Sequence, residues 1–174
     1  EKVEEGIKSM EYDNVSSVQI IFNLFRQRPK ELFFEQAKKK NVGVIVRVPL
    51  ASGLLSGKFG VDTHFEKDDH RHFNRHGEAF DKGETFSGID YDLGLKATEA
   101  LKEIFPGKES LAGLALQWIL QYEAVSCIIP GASKVEQVLS NVSASGANDL
   151  SGAQIEAMNV VYETYIKEQV NQCW

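Results

Sequence analysis

The 174-residue chain is poor in several things, and each shortage excludes something. Two cysteines, Cys127 and Cys173, cannot build a disulfide framework. Four prolines stand only where elements should start or stop, at Pro29, Pro49, Pro106 and Pro130. No apolar run is long enough to cross a membrane, and no signal-peptide pattern opens the chain, so a cytoplasmic protein is expected. Basic charge is short as well. Nineteen Lys and Arg against 25 Asp and Glu leave a net charge of −6, with no broad attraction for nucleic acid or an anionic membrane. Any phosphate must therefore be held locally.

Several chemical signatures are missing too. GLLSGKF imitates a P-loop, but Ser52 stands where glycine is needed and Phe59 where Ser or Thr is needed. No Gly-x-Gly-x-x-Gly follows a strand, and there is no Gly-x-Ser-x-Gly elbow or Ser-His-Asp set. The stretch DDHRHFNRH gathers Asp68, Asp69, His70, His72 and His76, yet its spacing matches no zinc pattern. A loop so charged is ordinarily just solvated.

What is present reads as globular material, 43% hydrophobic and 25% charged, able to bury a core. Lys2 to Met10 has the pattern of an amphipathic helix, and Val15 to Leu24 that of a strand covered on both sides. A helix is expected over Lys30 to Lys40, with Leu32, Phe33 and Ala37 inward and Asn41-Val42-Gly43 as its stop. Val44 to Val48 predicts a second buried strand. Gly60 to Gly88 is then a long excursion without apolar periodicity, and such loops are usually functional or mobile. Helices follow over Tyr91 to Phe105, stopped by Pro106-Gly107, and from a Ser110 cap through Tyr122. A third buried strand (Val125, Cys127, Ile128, Ile129), with Cys127 packed in the core, leads through Pro130-Gly131 to a helix capped by Ser133 with Glu136. Gly152 to Gln169, with a Ser151/Gln154 capping box, closes the chain.

Alternation of strands and helices implies parallel βαβ units. Three strands leave open edges that proteins normally cover, so residues 1–174 are expected to be a single partial domain, a segment of a larger parallel sheet or barrel with the remainder missing upstream.

Candidate binding residues fall at strand ends and at one helix start. Ser52, Gly53, Gly57 and Lys58 lie just past the second strand, where parallel α/β folds bind ligands; the alternative for the same residues is a tight surface turn. The last-strand helix carries a polar stripe of Ser133, Gln137 and Asn141 beside Lys134, opposite Val135, Val138, Leu139 and Val142. It suits either an anion site or a plain surface helix. Gln19 and Asn23 on a strand need partners in protein or ligand. Arg47 among valines needs an anion, an aromatic face or solvent, which leaves a structural salt bridge and a ligand contact both open.

In order and separation, VQIIFNLF, RVPLASGLLSGKF and IIPGASKVEQVLSNV resemble the C-terminal half of an aldo-keto reductase. The similarity extends through DHRHFNRHGEAFDKGETFSG to Trp174 and covers nearly the whole chain. It implies an α/β fold, with parallel β/α units forming the C-terminal half of a TIM (β/α)₈ barrel, strands six to eight, and a chain that begins inside helix five. It implies a carbonyl reductase using NADP(H), with NAD(H) as the alternative, acting on aldehydes or ketones. The partners are a small carbonyl substrate and, for the half-barrel, itself or the missing half. By the resemblance, Gln19 holds the nicotinamide carboxamide, and Arg47 replaces a Tyr that stacks on the nicotinamide. Pro49, Leu50, Ser52 and Lys58 cradle the pyrophosphate. Gly131, Ala132, Ser133 and Lys134 surround the 2′-phosphate, and Gln137 and Asn141 meet the adenine. Gly131 and Gln137 stand where some members have Lys and Arg, leaving Lys134 as the main cation there. The catalytic Asp, Tyr, Lys and His of the family have no counterpart in this sequence, so no catalytic residue and no metal ligand is assigned. The other class the resemblance admits is a cofactor-sensing regulatory subunit.

Overall fold

The computed structural model describes residues 2–106 and 110–174. Gly107 of the expected Pro106-Gly107 stop lies outside the described residues. Helix α1 (Val3–Ser9) leads into strand β1 (Ser17–Ile21), helix α2 (Phe33–Lys39) and strand β2 (Gly43–Arg47). After the long loop, which carries a four-residue helix α3 (His70–Phe73), come α4 (Tyr91–Ile104) and α5 (Leu111–Leu120). Strand β3 (Val125–Ile128), α6 (Val135–Ser143), α7 (Gly152–Val161) and α8 (Lys167–Val170) complete the order.

The three strands form one parallel sheet in the order β1-β2-β3. Gln19 sits opposite Ile45 and Ile21 opposite Arg47. The β2–β3 register slips between Val44 and Ile45. Helices α1, α2 and α5 pack against β1, β2 and β3 respectively. Along β2, buried Val44 and Val46 alternate with half-buried Gly43, Ile45 and Arg47. That alternation marks a sheet covered on one face only.

This corrects the expectation of doubly buried strands. Ser17 and Gln19 are exposed, as are Ser126, Cys127 and Ile129; Cys127 is not a core residue. The reason lies in where β1 ends. Phe22, Leu24 and Phe25 are buried but no longer in the strand, because Asn23 and Arg26 close a tight turn through Asn23 N–H to Arg26 O (3.2 Å) and Arg26 N–H to Asn23 O (2.9 Å). Phe22 instead enters an aromatic cluster, stacked on Trp118 with centroids 4.9 Å apart and edge-on to Phe34 and Tyr122 at 4.7 and 5.0 Å. The apolar run therefore belongs half to the sheet and half to this core.

Other elements shift for local reasons. Pro29 opens a short 3₁₀ turn over Arg28–Lys30, and α2 begins only at Phe33, which leaves Leu32 exposed rather than inward. Asn41, at φ 53°, turns the chain out of that helix as its residue type suggested. The cap of α6 moves by one residue: Lys134 is the N-cap and Gln137, not Glu136, folds back to it. The final helix is interrupted by a π-turn over Tyr162–Ile166. The Ser110 and Ser151/Gln154 caps form as expected.

Two surfaces stay uncovered among the described residues. One is the inner sheet face with the outer edges of β1 and β3. The other is the apolar stripe of α6, where Val135, Val138, Leu139 and Val142 are 70, 50, 65 and 64% exposed.

Candidate functional site

Past Arg47 the chain leaves the sheet through backbone that most residues avoid. Val48, Ala51 and Ser52 have φ of 51°, 48° and 54°, and Gly53 has φ 100°. Opposite them, Phe86 and Ser87 are also left-handed, at 51° and 58°. Such residues cost about 1–3 kcal/mol each and persist only where neighbours over-determine them. Here the neighbour is Asn23. Its buried Nδ2 donates to Val48 O and to Ser87 Oγ, both at 2.9 Å, while its Oδ1 accepts from Phe25 N–H at 2.9 Å. The expected partners of Asn23 are thus protein groups. Ser52 adds a second stitch: its hydroxyl donates to Glu84 O and accepts from Phe86 N–H, each at 3.1 Å.

The turn from Val48 to Gly53 forms one wall of a cavity of about 770 Å³, a size usual for small-molecule and cofactor sites. The facing wall is Gly131, Ala132, Ser133 and Gln137, at the head of α6. A Cβ on Gly131 would meet nothing within 4 Å, so this edge is open to a ligand. Gln137 Oε1 accepts from the backbone N–H of Ser133 (2.7 Å) and Lys134 (3.1 Å) and from Ser133 Oγ (3.1 Å). The side chain that the polar stripe suggested for a ligand thus also caps its own helix.

Eight of the twelve predicted site residues border this cavity: Pro49, Leu50, Ser52, Lys58, Gly131, Ala132, Ser133 and Gln137. Gln19 and Arg47 line instead a small cleft of about 60 Å³ at the sheet. Lys134 and Asn141 border neither, although Lys134 directly follows Ser133 in the chain.

The long loop supplies four cavity residues: His70, which the sequence raised only as a metal ligand, and Arg71, Phe80 and Glu84, which it did not single out. It is ordered by arginine–aromatic stacking. Arg71 lies over Phe65 at 4.7 Å and Arg75 over Tyr91 at 4.8 Å. Asp69 caps α3 through Arg71 N–H and receives Arg71 Nε at 2.9 Å; these hydrogen bonds hold its carboxyl below the ordinary value. Buried Asn74 bonds Thr85 Oγ1 and accepts from Ala79 and Phe80 N–H. Two arginines four apart among Phe65, Phe86 and Tyr91 were the available signal. Among the described residues, no three His, Cys, Asp or Glu gather as metal ligands.

Chemically, the cavity offers hydroxyls, backbone N–H groups at a helix start, and cationic Lys58 and Arg71 against the single carboxylate of Glu84. Among the described residues no tyrosine borders it. Hydroxyls, amide N–H groups and cations are donors that suit an anionic group.

The sequence profile described as the aldo/keto reductase family matches residues 1–163. Among curated proteins, an uncharacterised oxidoreductase, YqkF, of Bacillus subtilis is 28% identical over 145 residues, covering 83% of this chain and 42% of its own length. The L-glyceraldehyde 3-phosphate reductase of Escherichia coli O157:H7 is 31% identical over 116 residues, covering 66% of this chain and 32% of its own. Among solved structures, the glycerol dehydrogenase AKR11B4 from Gluconobacter oxydans superposes with a TM-score of 0.67 at 25% identity, covering 89% of this chain and 43% of that one. The chain spans less than half the length of these relatives.

Proposed function

The chain belongs to the aldo/keto reductase family, with the α/β fold of parallel strands and helices found in its TIM barrels, and we propose that it is the cofactor-holding half of an NADP(H)-dependent reductase of aldehydes or ketones. The observation that carries this reading is convergence. Two segments about eighty residues apart, Pro49 to Lys58 and Gly131 to Gln137, face one cavity across the C-terminal ends of parallel strands.

In this reading Ser52 and Lys58 hold the diphosphate against the backbone of the left-handed turn. The N–H groups and hydroxyl at the head of α6 take the 2′-phosphate with Lys134, and Gln137 and Asn141 take the adenine. Gln19, midway along β1, and Arg47, at the end of β2, take the nicotinamide: Gln19 by hydrogen bonds to the carboxamide, Arg47 by the plane of its guanidinium. The bound cofactor supplies hydride to a carbonyl carbon. The matching proton comes from groups outside this sequence, so residues 1–174 alone do not turn over. The bare sheet face and the apolar stripe of α6 are then the surfaces that complementary β/α units cover.

Calorimetric titration of the intact protein with NADPH tests the reading. Gln137→Ala and Asn141→Ala should each weaken binding by about 1–2 kcal/mol, one lost hydrogen bond apiece. Lys134→Ala should weaken NADPH more than NADH. Unchanged titrations in the first pair reject the adenine assignment, and equal losses in the last reject the 2′-phosphate role.

A further inference from the structure

Arg47 and Glu84 join two parts of the molecule, the end of β2 and the returning arm of the long loop. Arg47 is the last residue of β2, beside Ile21 in the register, and it lines the cleft that also holds Gln19. Its guanidinium forks onto the carboxylate: Nη1 donates to Oε2 and Nη2 to Oε1, both at 2.6 Å. Each side chain is 24% exposed, so water screens the pair only in part. Glu84 is also held from behind, because its carbonyl accepts from Ser52 Oγ. Its side of the pair borders the large cavity, whereas Arg47 borders the small cleft. The ion pair therefore stands at the junction of the two. A two-point fork fixes the plane of a guanidinium as well as its charge.

We propose that Glu84 is a positioning residue that holds the Arg47 guanidinium flat and electrically balanced for the nicotinamide end of the cofactor, and so sets how evenly the site accepts its two oxidation states. This rests on the reading of Arg47 given above. The oxidised nicotinamide ring is cationic and the reduced ring neutral. Removing the Glu84 charge makes the guanidinium plane more positive, which disfavours the first at short range and changes little for the second. With Glu84 forked onto it, Arg47 presents a less positive plane to either. The adenosine end, on the far wall of the large cavity, is the same in the oxidised and the reduced cofactor and so does not discriminate between them.

The test is calorimetry on the intact protein with NADP⁺, NADPH and adenosine 2′,5′-bisphosphate. In Glu84→Gln, which takes a negative charge out of the large cavity, binding of the bisphosphate should hold or tighten, while NADP⁺ should lose about fivefold or more relative to NADPH. The double variant Arg47→Met with Glu84→Gln, which removes both charges, should return the NADP⁺/NADPH ratio to its original value even where overall affinity falls. An equal loss on all three ligands, or an unchanged ratio in Glu84→Gln, overturns the proposal and leaves the Arg47 reading standing. If the unaltered protein binds the bisphosphate as tightly as either dinucleotide, the Arg47 reading itself fails, and this inference with it.

Discussion

Asn23 is the residue on which the geometry of the cavity most depends, and its removal can be worked through in numbers. Asn23→Ala deletes three hydrogen bonds of 2.9 Å, to Val48 O, Ser87 Oγ and Phe25 N–H. At a net contribution near 1 kcal/mol each these amount to about 3 kcal/mol, and the buried Phe25 N–H left unpartnered adds about 1–2 kcal/mol more. The expected loss is therefore about 4–5 kcal/mol, a large part of the stability of an ordinary domain, which is about 5–15 kcal/mol. Binding should suffer beyond stability, because the same amide ties Val48, in left-handed backbone at the cavity wall, to Ser87 of the long loop. Urea unfolding followed by tryptophan fluorescence gives the first quantity, and NADPH titration under folding conditions gives the second. Asn23→Asp is the informative control. It keeps an acceptor for Phe25 but sets an oxygen against the Val48 carbonyl, so it should lose at least as much as alanine. A loss below about 1 kcal/mol in Asn23→Ala, with an unchanged denaturant slope, would refute the claim that this side chain holds the two turns together.

Three further outcomes are expected. Gly53→Ala forces a Cβ to 2.7 Å from the Phe59 ring at φ 100°, so it should destabilise by about 1–3 kcal/mol and weaken NADPH binding, measured by the same two assays. Phe22→Ala, emptying the centre of the aromatic cluster, should cost about 3–5 kcal/mol in urea unfolding while leaving the cavity residues in place by amide chemical shifts. The carboxyl of Asp69 lies below its ordinary value of 3.8 because Arg71 bonds its ionised form, so its contribution is complete above that value and disappears as pH falls through the folded value. The stability gap between the unaltered protein and Asp69→Asn should therefore be constant above about pH 5 and close on acidification below pH 4; a gap independent of pH would remove the ion pair from the account.

Much of this architecture was legible in the chain. The helical runs of α4 and α5, the Ser110 cap, and the Ser151/Gln154 box are local signals, and they formed where the residues put them. The depth of the strands was not legible. A run such as Val15 to Leu24 looks the same whether its apolar residues face a sheet partner or leave the strand for an aromatic cluster, and only the Asn23–Arg26 turn decides it. Likewise Cys127 and Ile129 lie in an apolar stretch but on the uncovered face, a property of the surroundings rather than of the stretch. The site was half visible. Small residues and a lysine after a strand marked one wall of the cavity, and the polar head of α6 marked the other. The contribution of the long loop was hidden because Arg71, Asn74 and Glu84 act through partners up to thirty-seven residues away, and no periodicity encodes such contacts.

The central claim is that the left-handed turn after β2 and the head of α6 together grip one extended phosphorylated ligand. A crystal structure of the intact protein grown with NADP⁺ tests it most directly. The account predicts the diphosphate between Ser52 and Lys58, with the adenosine phosphate against Ser133 and Lys134. A cofactor bound elsewhere, with those two walls facing only solvent, would contradict it.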